Sequence, residues 1–85
     1  MRLSAEWMSL ADDRILEFLR EEGPHSPSRM AEDNRLSFSR SHINRRCKRL
    51  TEEGLTENLG NGVYAITEDG THYLDGELDL RTETN

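Results

Sequence analysis

The chain is short of most of what supports catalysis. One cysteine, Cys47, excludes an internal disulfide, and His25, His42 and His72 fall in three separate segments with no His or Cys pair at metal-ligand spacing. No glycine-rich phosphate loop follows a strand and no carboxylate pair sits in a pocket-forming context. We therefore expect no enzyme activity, no cofactor and no metal. No apolar run is long enough to span a bilayer and no secretory leader is recognisable, so the expected location is the cytoplasm, away from any membrane. Large apolar side chains are also scarce: one Trp, two Tyr and two Phe in 85 residues that are 33% hydrophobic with a net charge of −6. A chain of that length makes one domain, near the size at which a single core only just suffices.

What is present is punctuation, which argues for a folded chain rather than a disordered one. Residues 1–8 read as an N-terminal arm anchored by Trp7, 9–76 as the domain proper, and 77–85 as an acidic tail expected to fray. Ser9 with Asp12 three residues on signals a helix start and Gly23-Pro24 a stop; Ile15, Leu16 and Leu19 share the inward face between them. Phe18 and Ala11 lie to one side, and with Trp7 they suggest a second apolar patch, covered either by a second copy of the chain or by the tail. Pro24 and Pro27 bracket an extended His25. Ser26-Pro27 is an N-cap oxygen followed by a proline at the first helical position. It opens a second helix that carries Met30 and Ala31 inward and finishes near Asn34, after which Leu36 and Phe38 plug a turn.

The rest of the chain is organised around a third helix, 39–53, capped by Ser39 and stopped by Gly54. Ile43, Cys47 and Leu50 recur on one face, where the thiol acts as a small hydrophobe. Arg46 sits at the edge of that face, where its stem covers the core and its head pairs with a carboxylate. Ser41, Asn44, Arg45, Lys48 and Arg49 project elsewhere. From Arg35 to Arg49 there are six Lys or Arg and no Asp or Glu, whereas the other seventy residues hold five basic and all seventeen acidic side chains. A charged helix face is often no more than a solvated one. A stretch kept free of carboxylates in an acidic protein is most simply kept for a polyanion.

Helix, turn and basic helix form a helix-turn-helix, whose second helix enters the major groove. The turn is long, with eight positions from Ala31 to Ser39; either it holds an insertion or Ser37 is the cap, and the apolar register favours Ser39. After Gly54 the period changes. Leu55–Leu59 and Val63–Ile66 read as strands joined through Gly60-Asn61-Gly62, a hairpin wing, and Thr67 caps a last helix through Leu74 with Gly70 as a weak interior residue. The expected fold class is α+β: a winged helix-turn-helix with a three-helix core, a C-terminal β-hairpin wing and a further short C-terminal helix. The wing tip carries no Lys or Arg, so only a polar contact from Asn61 or Asn58 is expected of it.

Ten arginines stand against a single lysine, Lys48. With the acidic surplus, this resembles proteins of extreme halophiles, and also ordinary acidic proteins from GC-rich genomes. Ser39-Arg-Ser-His-Ile-Asn-Arg-Arg, Leu50, Gly54-Leu55, the block Gly60-Asn-Gly-Val-Tyr-Ala-Ile-Thr-Glu-Asp-Gly with Tyr73-Leu74, and Asp12-Asp13-Arg14-Ile15-Leu16-Glu17 are similar to the winged-helix proteins of haloarchaea that resemble the phi-H phage repressor. The resemblance implies a transcriptional regulator, commonly a repressor, that binds DNA as a homodimer.

The expected partner is double-stranded DNA. Arg40, Ser41, Asn44 and Arg45 are the base-reading candidates, because Arg and Asn can bond guanine and adenine edges with two prongs. Ser39, Lys48 and Arg49 suit phosphates, with His42 at the flank and Asn61 from the wing. A winged helix used for protein contact is the competing reading; the six-to-zero charge bias argues against it.

Overall fold

The computed structural model describes residues 1–81. Its elements are α1 (Leu10–Glu22), α2 (Pro27–Ala31), α3 (Arg40–Glu52), β1 (Thr56–Gly60), β2 (Val63–Ile66) and α4 (Glu68–Leu74). This is the winged helix-turn-helix expected from the sequence. Among the described residues no helix is long and apolar enough to cross a membrane.

Local chemistry sets most of the boundaries. The Ser9 N–H donates to the Asp12 carboxylate at 2.7 Å and opens α1. Ser26 Oγ accepts the Arg29 N–H at 3.2 Å and opens α2. That helix stops at Ala31 rather than near Asn34. The Asp33 side chain takes the Arg35 N–H at 2.9 Å, and such a local bond offers the backbone an alternative to further helix. Ser39 Oγ accepts the His42 N–H at 3.1 Å, so Ser39 is the cap of α3, while Ser37 lies outside with φ of 55°.

The other end of α3 closes with two backbone bonds, Leu55 N–H to the Leu50 carbonyl at 2.9 Å and Gly54 N–H to the Thr51 carbonyl at 3.1 Å. Leu55 thereby belongs to the helix stop, fully buried, and the first strand starts one residue later than its sequence suggests. Ile15, Leu16 and Leu19 of α1 meet Ile43, Cys47 and Leu50 of α3 in one core, completed by Met30, Leu36, Leu55, Tyr64, Tyr73 and Leu74.

β1 and β2 pair antiparallel with Asn58 opposite Tyr64 and Gly60 opposite Val63, the register slipping between Asn58 and Gly60. Asn61 and Gly62 have φ of 55° and 74°, the pair of positive values that a tight hairpin turn requires. His25 adds a rung on the far side of β2, exchanging backbone hydrogen bonds with Tyr64 at 3.0 Å each way, which ties the wing to the α1–α2 connection.

Three expectations are corrected. Phe18 and Ala11 form no open patch. Both are buried, and Phe18 is covered by the edge of the His25 ring at 4.9 Å between centroids and by the Arg35 guanidinium at 4.9 Å from its own centroid. Gly70 is a close-approach residue rather than a weak one, because a Cβ there would collide with the Leu55 carbonyl oxygen and stand 2.6 Å from the Ile66 side chain. Gly70→Ala is accordingly expected to lower stability by about 1 to 3 kcal/mol, the usual range for overpacking against groups that cannot retreat. A chemical-denaturation midpoint equal to that of the wild type would show that the loop yields.

The stretch expected to fray is the third. Of residues 77–85, Glu77–Arg81 are described. The Leu80 N–H donates to the Leu3 carbonyl at 2.9 Å, and Leu78 and Leu80 pack on the core. Residues 82–85 lie outside the described part. The arm that receives this segment is itself held. Arg2 donates to the Leu74 carbonyl at 3.0 Å and to Glu17 at 2.6 Å, and Ser4 shares a 2.7 Å bond with the Tyr73 hydroxyl.

Candidate nucleic-acid interface

Ile43, Cys47 and Leu50 hold one stripe of α3 in the core, so helical geometry turns Ser41, Asn44, Arg45 and Lys48 onto an outward arc, while Arg40, in line with Cys47, is exposed because it stands in the first turn. Three of them contribute to a polar groove of about 370 Å³. Arg40, Ser41 and Asn44 face Asn61 and Gly62 of the wing across it, with Ser26, Pro27 and Ser28 at its α2 end. Ser28 escaped the sequence reading, Ser26 and Pro27 entered it only as a helix start, and Gly62 only as part of the wing turn. The signal available was the Ser-Pro-Ser run itself, since a helix start with two hydroxyls needs only the right crossing angle to face the next helix.

Arg45 and Lys48 are exposed beside the groove without lining it. His42 and Arg49 lie at the margin of the arc. His42 stacks on Phe38, with 5.4 Å between centroids. Arg49 is drawn aside, with its guanidinium 4.7 Å from the Trp7 ring centroid and its Nε donating to Glu53 at 3.1 Å. Asn58 is also occupied, its side-chain oxygen accepting the Gly60 N–H at 2.8 Å within the wing.

The charge pattern is sharper than the sequence implies. Arg2, Arg14, Arg20, Arg29, Arg35, Arg46, Arg49 and Arg81 each have a carboxylate within 4.0 Å. Among the described residues, the remaining three of the eleven Lys and Arg, namely Arg40, Arg45 and Lys48, have none. Arg35, which opens the basic stretch, is turned back onto Asp33 at 2.9 Å and Glu22 at 3.3 Å. Its hydrogen bonds hold the Asp33 carboxyl well down, from 3.8 to about 2.

Arg46 is withdrawn in the way its register predicts. It donates from Nε to Asp12 Oδ1 and from Nη2 to Asp12 Oδ2, both at 2.8 Å, and from Nη2 to the Trp7 carbonyl at 3.1 Å. The bonds to Asp12 raise its pKa above the ordinary value despite burial. Cys47 lies beneath. Burial, reinforced by the Asp12 charge, pushes its thiol up to about 12, so it stays protonated and unreactive.

A wing, a helix-turn-helix and an outward cationic arc now stand together, and the family of winged helix-turn-helix phage repressors matches residues 1–83. The chain belongs to that family. The repressor protein of Halobacterium phage phiH is 32% identical over 86 residues, covering 94% of this chain and 93% of the relative. The crystal structure of the PhiH1 repressor-like protein from Haloarcula marismortui matches with a TM-score of 0.90 at 47% identity, over 93% of this chain and 90% of that one. BpsR of Bordetella bronchiseptica matches with a TM-score of 0.70 at 16% identity, over 82% of this chain and 53% of its own, a likeness of fold alone. As a winged helix-turn-helix phage repressor family member, the chain is a DNA-binding regulator, a regulatory rather than a catalytic kind of protein.

Proposed function

We propose that this chain is a sequence-specific repressor that reads the major groove with α3 and acts in the cytoplasm as a homodimer. The observation that carries the reading is that the three cations without a carboxylate partner among the described residues all stand exposed on one helix, α3. Ser41 and Asn44 stand between them, and Asn61 closes the groove from the wing. Arg40, Ser41, Asn44 and Arg45 are assigned to base edges. Ser39, Lys48 and Arg49 are assigned to phosphates, Arg49 after leaving Glu53, and His42 stands at the flank beside Arg45 without a DNA contact of its own.

The test is a binding titration of genomic DNA fragments across a salt series that reaches molar KCl. Tight, fragment-selective binding supports the reading, and absence of selectivity at every salt with the protein folded refutes it in favour of a protein-contact module. Within a selected operator, Asn44→Ala or Arg45→Ala is expected to cost about 1 to 3 kcal/mol at one base position and to relax specificity there. Equal losses on all sequences would reassign those residues to the backbone. For the dimer, a footprint over inverted half-sites with centres about 10 bp or a multiple apart is expected. Protection of a single half-site removes the dimer from the proposal.

A further inference from the structure

We infer that His42 is a positioning residue for Arg45, and that the lengthened α2–α3 turn takes part in DNA reading through it. This deepens the proposed function and rests on it. Phe38 directly precedes the Ser39 cap and is half-buried against the core. It follows Ser37, whose left-handed φ of 55° sets the direction of the chain there. The Phe38 ring lies nearly parallel to the His42 imidazole, 19° between planes at 5.4 Å, and so fixes how that ring is turned. His42 and Arg45 are three residues apart on the same side of α3, and Arg45 Nη2 lies 3.5 Å from His42 Nδ1.

The chemistry of the pair assigns the proton. A guanidinium only donates, so Nδ1 is the acceptor and the neutral ring carries its hydrogen on Nε2. At 3.5 Å the contact is at the long limit of a hydrogen bond, so it supplies direction more than strength. Direction is what Arg45 otherwise lacks: it is exposed, with no carboxylate within 4.0 Å among the described residues. A two-pronged contact to a base edge requires the planar head to arrive in one orientation. A restraint already present in the free protein lowers the rotamer freedom lost on docking. His42 should therefore sharpen the base discrimination of Arg45 and leave general affinity for DNA alone.

The test measures binding to the four base variants at the pair that Arg45→Ala relaxes. His42→Ala is expected to reduce discrimination there roughly three- to tenfold, with affinity for unrelated DNA unchanged. Phe38→Leu, which keeps an apolar plug but loses the flat ring, should act in the same direction. His42→Gln keeps an acceptor and should recover part of the loss. In an Arg45→Ala background, His42→Ala should change nothing at that pair. The inference is overturned if His42→Ala weakens all sequences equally, which would make it a phosphate contact. It is overturned as well if the His42 effect persists without Arg45, or if Arg45→Ala relaxes no base pair. Failure of the wild-type protein to select any fragment is a separate result that removes the proposed function itself.

Discussion

Arg46→Met is expected to destabilise the domain by about 3 to 5 kcal/mol, because it leaves a buried carboxylate without its cation. The Asp12 side chain is 0% exposed and takes two of the Arg46 hydrogen bonds, whereas Arg46 itself is 23% exposed. What remains to Asp12 is the Ser9 N–H and hydroxyl, which places the loss nearer the lower figure. For a domain of this length a net stability of about 4 to 13 kcal/mol is ordinary, so the loss is about a quarter or more of the whole. A urea denaturation series measures the loss. The double variant Asp12→Asn, Arg46→Met should be less damaged than the sum of the single changes, since the stranded charge is gone. A loss below about 1 kcal/mol would mean that water reaches Asp12 and the pair is worth no more than a surface one. High salt should change the result little, since ions do not enter between groups 2.8 Å apart inside the fold.

The triple variant Arg40→Ala, Arg45→Ala, Lys48→Ala is expected to do the reverse, keeping the fold and losing the DNA. These side chains are exposed, and no carboxylate among the described residues loses a partner when they go. Affinity for a selected fragment should fall about 100- to 1000-fold at low salt. The slope of log affinity against log salt should flatten by about one for each of the three that meets a phosphate. At molar salt the Debye length is about 3 Å and counterion release contributes little, so the difference that survives there measures contacts at hydrogen-bonding distance. A triple variant that binds as tightly as wild type would place the interface on another surface, with the Arg49 and Trp7 side of α3 as the next to test.

The sequence revealed the parts whose cause is local. Ser26, Ser39 and Thr67 each cap a helix because a short side-chain oxygen accepts a nearby N–H, and at α1 the Asp12 carboxylate reaches back to the Ser9 N–H; such chemistry is written within four residues. Asn61-Gly62 announces its turn for the same reason. The inward stripe of α3 follows from helical period alone, and with it the identity of the outward residues. What stayed hidden depends on segments far apart in the chain. Gly70 looks like a flaw until Leu55 and Ile66 are placed against it. Phe18 looks exposed until the α2–α3 turn brings Arg35 over its face. The 77–81 segment looks like tail until Leu3 supplies a carbonyl for Leu80. Most consequential for the candidate site, composition counts six basic residues from Arg35 to Arg49 and helical register withdraws only Arg46 from them. The fold adds that Arg35 and Arg49 are held by carboxylates too, which leaves Arg40, Arg45 and Lys48.

That separation shows what part of the acidic surplus of this chain does in the fold: it pairs with the arginines. Eight arginines spread over the molecule would each offer a foothold to any nucleic acid, and each is masked by a neighbour of opposite sign. Drift that deletes a remote carboxylate, such as Asp79 beside Arg81, does not merely remove a weak ion pair. It also leaves a guanidinium unpaired away from α3, where it can meet a phosphate. On the proposed reading, the acidic residues far from α3 are expected to guard selectivity, and Asp79→Asn to raise affinity for unrelated DNA without a change in stability.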